Sequence, residues 1–531
     1  MDYFKADGEY SKWIQRNEVP VYQTSEINSN DEKIKISIVT AVFNPPHKIF
    51  QDAINSILDQ TFKNWEWCIV NGSTDIEIKK MINKISEKDQ RIKVIHEKNE
   101  GISSNSNKAI KLTTGEILLL FDHDDVLSPF ALDEVIKEFD KDEKTDAVYS
   151  DSDKISEDGI RFEPFFKPDW SPEMMLSVNY VAHLFAFKKL ILDEVGYFRN
   201  ICDGAQDWDI ILRISERCRK IGHVAKILYH WRVIKGSTAL SLDTKPFARN
   251  SQIFAVREHL KRNNKQSYVI HEKNNYLHCK FQNIEEPISI IIPVENKELI
   301  ETNLRYIISN TNYDKYDIIL VNKTNMNLKL IDKSKIKELE YDFKNTADAI
   351  NFASAKSLNQ NLVFLNSTSI PKNNSWLTEL SYWLNMDSIG CTGSKILDKK
   401  NNISNAGIVF TKNNEYYHLF KKLENNENIW TNFGAVNWYR NFNAISYNGM
   451  LIRKSIFEEN GKFSLVKNFD IELCVKLRKK QRRIMVTPFS ELIDYEDNYN
   501  NDSIDKKETS NIEYSYYNKN IKLDNIAKFR H

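Results

Sequence analysis

Three carboxylates and an imidazole follow an apolar run in GEILLLFDHDD, Gly115 to Asp125. Like charges repel, so a short buried strand ending on Asp122, Asp124 and Asp125 needs positive charge opposite them. Taken alone, such a cluster is a solvated loop or a helix cap. The i, i+2 spacing of Asp122 and Asp124 sets both carboxylates on one side of an extended chain. A hard divalent cation, held by one or two carboxylates with substrate phosphates completing its shell, resolves the repulsion. This stretch therefore points to a Mg2+ or Mn2+ ion carrying a diphosphate.

Two further stretches carry chemistry of their own. In GAQDWDIILR, Asp207 and Asp209 precede a helical pattern. A helix N-terminus favours carboxylates through its dipole, and the alternative is a carboxylate held as general base against an acceptor hydroxyl. In HVAKILYHWR, His230 follows an apolar strand. A lone histidine is commonly a satisfied polar group, yet an imidazole also completes a mixed oxygen and nitrogen shell, more readily for Mn2+ than for Mg2+. Arg232 or Lys235 is suited to phosphate oxygens, the guanidinium fork especially.

The elements that must position these residues alternate between strand and helix. KISIVTAVFN reads as a buried parallel strand, broken by Pro45 and Pro46. HKIFQDAINSILDQT has helical spacing, WEWCIVNG and RIKVIHE are strands, residues 101–113 a helix, and EILLLFD a fourth strand. Ser128 and Pro129 then open another helix. Such alternation implies right-handed crossovers, a parallel sheet and ligands beyond the carboxyl ends of the strands. Asn71, Gly72 and Asp122 to Asp125 all fall at such ends.

The second half repeats the first. PISIIIPVEN echoes KISIVTAVFN about 250 residues later, YDIILVN echoes WEWCIVN, and NLVFLNSTS stands where EILLLFDHDD stood. FDIELCVKLR parallels QDWDIILRI, and ELIDYED parallels ILYHWR. Residues near 265–286, polar and poor in apolar periodicity, are the expected join. The tail after about residue 500 reads as peripheral packing or partial disorder.

With 531 residues, two or more domains are expected. Lys plus Arg equals Asp plus Glu at 74 each, so no global field marks nucleic acid as a partner. The six scattered cysteines form no CxxC pair and read as buried thiols in a reducing compartment. The N-terminal stretch lacks a signal-like apolar segment, and no run nears the ~18 apolar residues of a membrane span. A cytoplasmic protein is the expectation.

Taken in order, VTAVFNPP, IVNGSTD, NEGISSNSNKA, LLLFDHDD, VYSDSDKI, FFKPDWSP, NYVAHLFAF, GAQDWDIILR and LYHWR resemble the family 2 glycosyltransferases of the GT-A fold. In particular they are similar to bacterial enzymes that build O-antigen, capsule and other surface glycans, some described as rhamnosyltransferases. The resemblance is dense over residues 36–240 and weaker over 287–497, and EYSKWIQ looks like that group's lead-in. It implies an α/β chain of two tandem GT-A domains, Rossmann-like with mostly parallel sheets, the second degenerate. The expected division is a lead-in over 1–34, an active domain over 35–275, a linker over 276–286, a degenerate domain over 287–500 and a tail over 501–531.

The resemblance also implies roles. Asp122 and Asp124 match the metal motif with Asp125 beside them, Asp124 as the first choice for direct coordination. Asp207 matches the base that deprotonates the acceptor hydroxyl, and configuration inverts in one displacement. His230 matches a position that joins the metal or diphosphate. Asn44, Asn71, Asp75, Asp122, Asp125 and Arg232 fall on the donor side. The base-recognition turn departs from the family, which shows two adjacent Asp where this chain has Asn71. An amide oxygen still accepts from the N3–H of uracil or thymine, so a UDP- or dTDP-sugar is the expected donor. Asp151, Asp153, His183 and Trp208 lie in stretches that face the sugar or acceptor. The implied acceptor is a glycan, lipid-linked or growing, which places the work near the inner face of the cytoplasmic membrane. A peripheral membrane contact and homo-oligomerisation are compatible with it.

In the repeat the metal position reads LNSTS, so Asn366, Ser367 and Thr368 replace the acids. Asp494 stands for His230 by the alignment, Tyr495-Glu496 for Trp-Arg, and Asp470 for Asp207. Without the carboxylates a diphosphate loses its main anchor, worth on the order of several kcal/mol. The second domain is therefore expected to be catalytically dead, retained to hold the acceptor glycan, pair subunits or support the first. Two alternatives remain: a bifunctional polymerase with two sites, and a non-catalytic glycan-binding scaffold.

Overall fold

The computed structural model describes residues 3–25, 34–234, 246–265, 267–271, 276–281, 286–295, 297–324, 328, 334–411, 415–426, 429–465, 467–496, 499 and 502–503. Lys235, residues 282–285 of the expected join and nearly all of the tail lie outside them.

β1 (Ile36–Val42) is buried on both faces, as its β-branched run requires at the centre of a parallel sheet. β2 (Trp65–Asn71), β3 (Ile92–His96) and β4 (Ile117–Leu120) extend that sheet in parallel. The helices His47–Leu58, Ile76–Lys88 and Ile102–Lys111 intervene as crossovers. β5 (Val126–Leu127), β6 (Thr145–Ile155), β7 (Arg161–Phe165), β8 (Phe185–Lys188) and β9 (Lys220–Arg232) complete it in the order β3-β2-β1-β4-β8-β6-β9-β5, with β7 against β6.

The sheet is less parallel than expected. β8 runs antiparallel to both β4 and β6, and β5 antiparallel to β9, while β6 and β9 are parallel. Four apolar residues such as those of β8 carry no mark of direction, and β8 inserts between strands that precede it in the chain.

The second sheet repeats this order strand for strand. Ile336–Glu340, Tyr316–Asn322, Ile288–Pro293, Asn361–Phe364, Met450–Arg453, Ile389–Leu397, Arg483–Asp494 and Ser369–Pro371 follow one another across it. Ile36 pairs with Trp65 and Ile117, and Ile288 pairs with Tyr316 and Asn361. The chain is thus two tandem α/β units of one topology.

The units share packing. Phe166 contacts Trp13 edge-on at 5.3 Å and lies 6.3 Å from Phe433, while Phe166 N donates to Asn432 O. Arg483 pairs with Glu173 at 2.6 Å. The polar stretch expected as the join holds a hairpin, Ser267–His271 against Leu277–Phe281, whose Cys279 N meets Tyr439 OH. The lead-in packs Tyr10, Trp13 and Ile14 inward. The six cysteines are unpaired, and among the described residues no helix is long and apolar enough to cross a membrane.

Candidate active site

The acidic stretch leaves β4 as a turn, not as an extended strand. Asp125 N donates to Asp122 O, which folds the chain so that Asp122 and Asp125 meet. With His183 they offer ligand atoms all within 4.8 Å of one another. His183 Nε2 lies 3.5 Å from Asp122 Oδ2. Two carboxylates and an imidazole suit Mn2+ or Mg2+. Asp124, which the resemblance implies as the first ligand, lies outside this trio, and the extended backbone assumed for the i, i+2 spacing is a turn instead.

Tyr229 is the scaffold beneath the trio. Its hydroxyl donates to Asp125 Oδ2 at 2.5 Å and accepts from Asp122 N at 3.3 Å, and its ring stacks on His183 with centroids 4.9 Å apart. Asp125 also accepts from Arg232 N at 2.7 Å. Burial, then the charges of Asp124 and Asp122, push the Asp125 carboxyl well above the usual carboxylate range. A cation would relieve that crowding by displacing the proton.

The His183 segment is fixed from below. Lys167 Nζ donates to the carbonyls of Val181 and His183, each at 2.7 Å. Burial draws the Lys167 ammonium down to about 7. Asn179 bridges this segment to the next: its Oδ1 accepts from Ala182 N, and its Nδ2 donates to Asp207 Oδ2 at 2.8 Å. Asp207 is the second residue of the helix Gln206–Ser215. Burial raises its pKa, His183 pulls it back, and Asp122 raises it further. Asn179 ties Asp207 to the segment that carries His183. The neighbouring Asp209 is fully buried and bonded to Arg199 and Arg213, a structural role.

Several expected site residues face inward instead. His230 is fully buried, with Nδ1 on Asp153 Oδ1 at 2.6 Å and Nε2 on Ser128 Oγ at 3.1 Å, so both nitrogens are engaged away from Asp122, Asp124 and Asp125. Arg232 is equally buried, and its guanidinium bonds Asp124 O, Ser156 O and Asp52 Oδ2. It pins the acidic turn and is not open to a diphosphate. Asp153 accepts from Tyr10, Arg161 and His230, and Asp151 from Lys167 N and His223. Trp208 is buried and donates to Met175 O. His230 was read as presented to ligand by a strand end, whereas Asp153 and Ser128 engage both its nitrogens.

The donor-side turn is self-bonded. Asn71 is buried, its Oδ1 accepting from Ser73 N and its Nδ2 meeting His96 Nδ1. Asn44, at φ 46°, accepts from Thr74 N and Asp75 N. Asp75 caps the helix Ile76–Lys88 and pairs with His47 at 2.7 Å. A Cβ on Gly72 would stand 2.9 Å from Asn99, so the turn closes tightly.

Asn179, Lys167 and Tyr229 were not singled out from sequence. All three lie within motifs already quoted, NYVAHLF, FFKPDW and LYHWR.

Residues 37–196 match the family described as glycosyl transferase family 2. The uncharacterized protein y4gI of Sinorhizobium fredii is 30% identical over 482 residues, 87% of this chain and 53% of that protein. The O-antigen biosynthesis protein RfbC of Myxococcus xanthus is 29% identical over 478 residues, 87% of this chain and 37% of its own length. The chondroitin synthase of Pasteurella multocida is 26% identical over 455 residues, covering 80% and 44%. The chain thus spans about half, or less, of the length of these three relatives. Among solved structures, S. aureus TarS 1-349 in complex with UDP overlaps 43% of this chain and 72% of its own at 19% identity, with a TM-score of 0.33. Residues 37–196, which carry β1 to β8 and the Asp122–Asp125–His183 trio, are a family 2 glycosyl transferase domain.

Proposed function

We propose that residues 35–275 form an inverting, divalent-cation-dependent glycosyltransferase that moves a sugar from a nucleotide diphosphate donor to a hydroxyl of a growing bacterial surface glycan. The observation that carries this reading is the Asn179 bridge, which donates to Asp207 Oδ2 at 2.8 Å and accepts from Ala182 N, next to His183 of the ligand trio. It joins a candidate base to a candidate cation site in one cluster.

Asp122, Asp125 and His183 would hold the ion, with Asp124 at the partly exposed side of the turn. When bound, Mn2+ or Mg2+ neutralises the departing diphosphate. Asp207 accepts the acceptor's hydroxyl proton as that oxygen bonds the anomeric carbon and the carbon–diphosphate bond breaks on the opposite face. Its raised proton affinity favours that transfer, and Asn179 fixes one of its oxygens. The names of the relatives, an O-antigen biosynthesis protein and a chondroitin synthase, favour a polysaccharide acceptor. A UDP- or dTDP-sugar donor, and work at the inner face of the cytoplasmic membrane, belong to the same reading.

The two-site polymerase is disfavoured, since among the described residues the second sheet holds no comparable set of ligands. The test is a donor panel of UDP-, dTDP- and GDP-sugars incubated with Mn2+, scored for transfer and donor hydrolysis. Cation-dependent turnover of one donor class is expected. Full turnover in the presence of excess chelator would end the cation-dependent reading.

A further inference from the structure

The second sheet carries a cavity where the first has its acidic turn. Asp494 pairs with Ser369 as His230 pairs with Val126. Lys188 faces Ile117 as Arg453 faces Asn361, so Asn448 holds the place of His183. Asp470 is the second residue of its helix, Phe469–Lys479, as Asp207 is of its own. Asp470 lines a cavity of 330 Å³, and Asp494 and Asn448 stand behind its wall, bonded to the lining residues Asn366, Thr368 and Tyr499. That volume is at the small end of ligand pockets, which run from about 300 to 1,000 Å³.

The cavity stands on a closed hydrogen-bonded frame. Buried Asp494 accepts from Thr368 Oγ1 at 2.6 Å, Asn366 Nδ2 at 2.9 Å, and Asn448 Nδ2 and Tyr499 OH at 3.0 Å each. In the wall, Asp470 accepts from Tyr447 N and Ile471 N, which leaves carboxylate lone pairs for a ligand. Burial raises the Asp470 carboxyl, as expected of an acid in a formed pocket.

The lining contains no lysine or arginine and three acids, Glu295, Asp470 and Glu496. A diphosphate would be repelled, and among the described residues no trio of ligands stands there to seat a neutralising cation. Tyrosine rings and fixed hydroxyl and amide groups make up most of the remainder. Rings accept an apolar ligand face, and fixed polar groups select a ligand rich in hydroxyls.

We infer that this cavity binds an uncharged sugar residue of a glycan, its hydroxyls bonded to Asp470 and its ring against tyrosine. The site is a former donor site rebuilt without charge compensation, so it holds saccharide and rejects nucleotide diphosphate. Nothing in this assignment depends on catalysis at Asp207.

Saturation-transfer NMR on the full chain tests it, with the methyl glycosides of glucose, galactose, N-acetylglucosamine and rhamnose as probes. At least one glycoside should bind, with binding unchanged in Asp122→Ala but lost in Asp470→Asn. Thr346→Trp, a partly exposed rim position, fills the cavity without touching the frame and should abolish the same signal. The proposal is overturned if no glycoside binds, or if binding disappears in Asp122→Ala while surviving Thr346→Trp. Metal-free UDP binding that Thr346→Trp removes would overturn it equally.

Discussion

His230 and Asp494 stand at the same register position of the two sheets, opposite Val126 and Ser369. In both, the side chain ties neighbouring elements together. His230 joins Asp153 to Ser128, and Asp494 gathers Asn366, Thr368, Asn448 and Tyr499. One fold position thus serves as a polar pivot with opposite chemistry in the two copies. In the first copy the pivot leads to a buried ionic chain, from His230 through Asp153 to Arg161 and Glu18.

Arg161 is the sole cation of that chain's inner end and is 1% exposed. Arg161→Met leaves Glu18 and Asp153 facing each other without it. Removing one partner of a buried pair costs about 3–5 kcal/mol. Thermal unfolding should shift down strongly, and the lead-in helix Gly8–Asn17, whose Tyr10 also bonds Asp153, should gain protease sensitivity first. An unchanged melting curve would show the chain to be energetically idle.

Asp207→Asn keeps shape and the capacity to meet Asn179 while removing the base. Turnover should fall by about 10²–10⁴, with donor affinity kept. The pH profile gives a second reading. Burial raises the Asp207 pKa, so the ionised base is lost at a higher pH than an ordinary aspartate would show. The acid limb of the rate profile should therefore lie above the usual carboxylate range and vanish in the variant. A profile flat down to that range would remove Asp207 from the proton transfer.

His223 couples stability to pH on the alkaline side. Burial alone would lower its pKa, but hydrogen bonds and charge from Asp151 and Asp169 outweigh it and raise it to about 9. The unfolded value is about 6.5, so this stabilisation is complete below about pH 6.5 and is lost as pH rises through about 9. Its size is on the order of 3 kcal/mol. Denaturation midpoints should fall between those pH values in the parent and much less in His223→Gln.

The alternation of strands and helices, the repeat and the cluster of acids after β4 were legible because each is written in local pattern, while the turn that folds those acids together was not. The antiparallel insertion of β8 was not, since FAFK has no directional signature. Within the site, Asp122 and Asp207 were readable as strand-end and helix-start carboxylates. The i, i+2 reading of Asp122 and Asp124 assumed a strand where the chain turns, and the partners that engage His230, Arg232, Asp151 and Asp153 were not visible in it. Covering residues such as Tyr10, Ser128 and Glu18 come from distant segments, which spacing does not reveal.

His183 and His230 separate the two accounts of the cation site. His183 Nε2 lies beside Asp122, while both His230 nitrogens are occupied by protein. Even outer partners of metal ligands shift metal affinity by about 10–100-fold when lost, so a direct ligand should cost at least as much. His183→Ala should therefore raise the Mn2+ concentration for half-maximal transfer by at least about 10-fold, with little change in melting temperature. His230→Gln should do the reverse, lowering the melting temperature through the disturbed Asp153 pair while leaving the Mn2+ dependence in place. A Mn2+ titration of both variants at matched folded concentration decides between them. If the His230 variant alone loses its response to the ion, the trio drawn from Asp122, Asp125 and His183 is wrong.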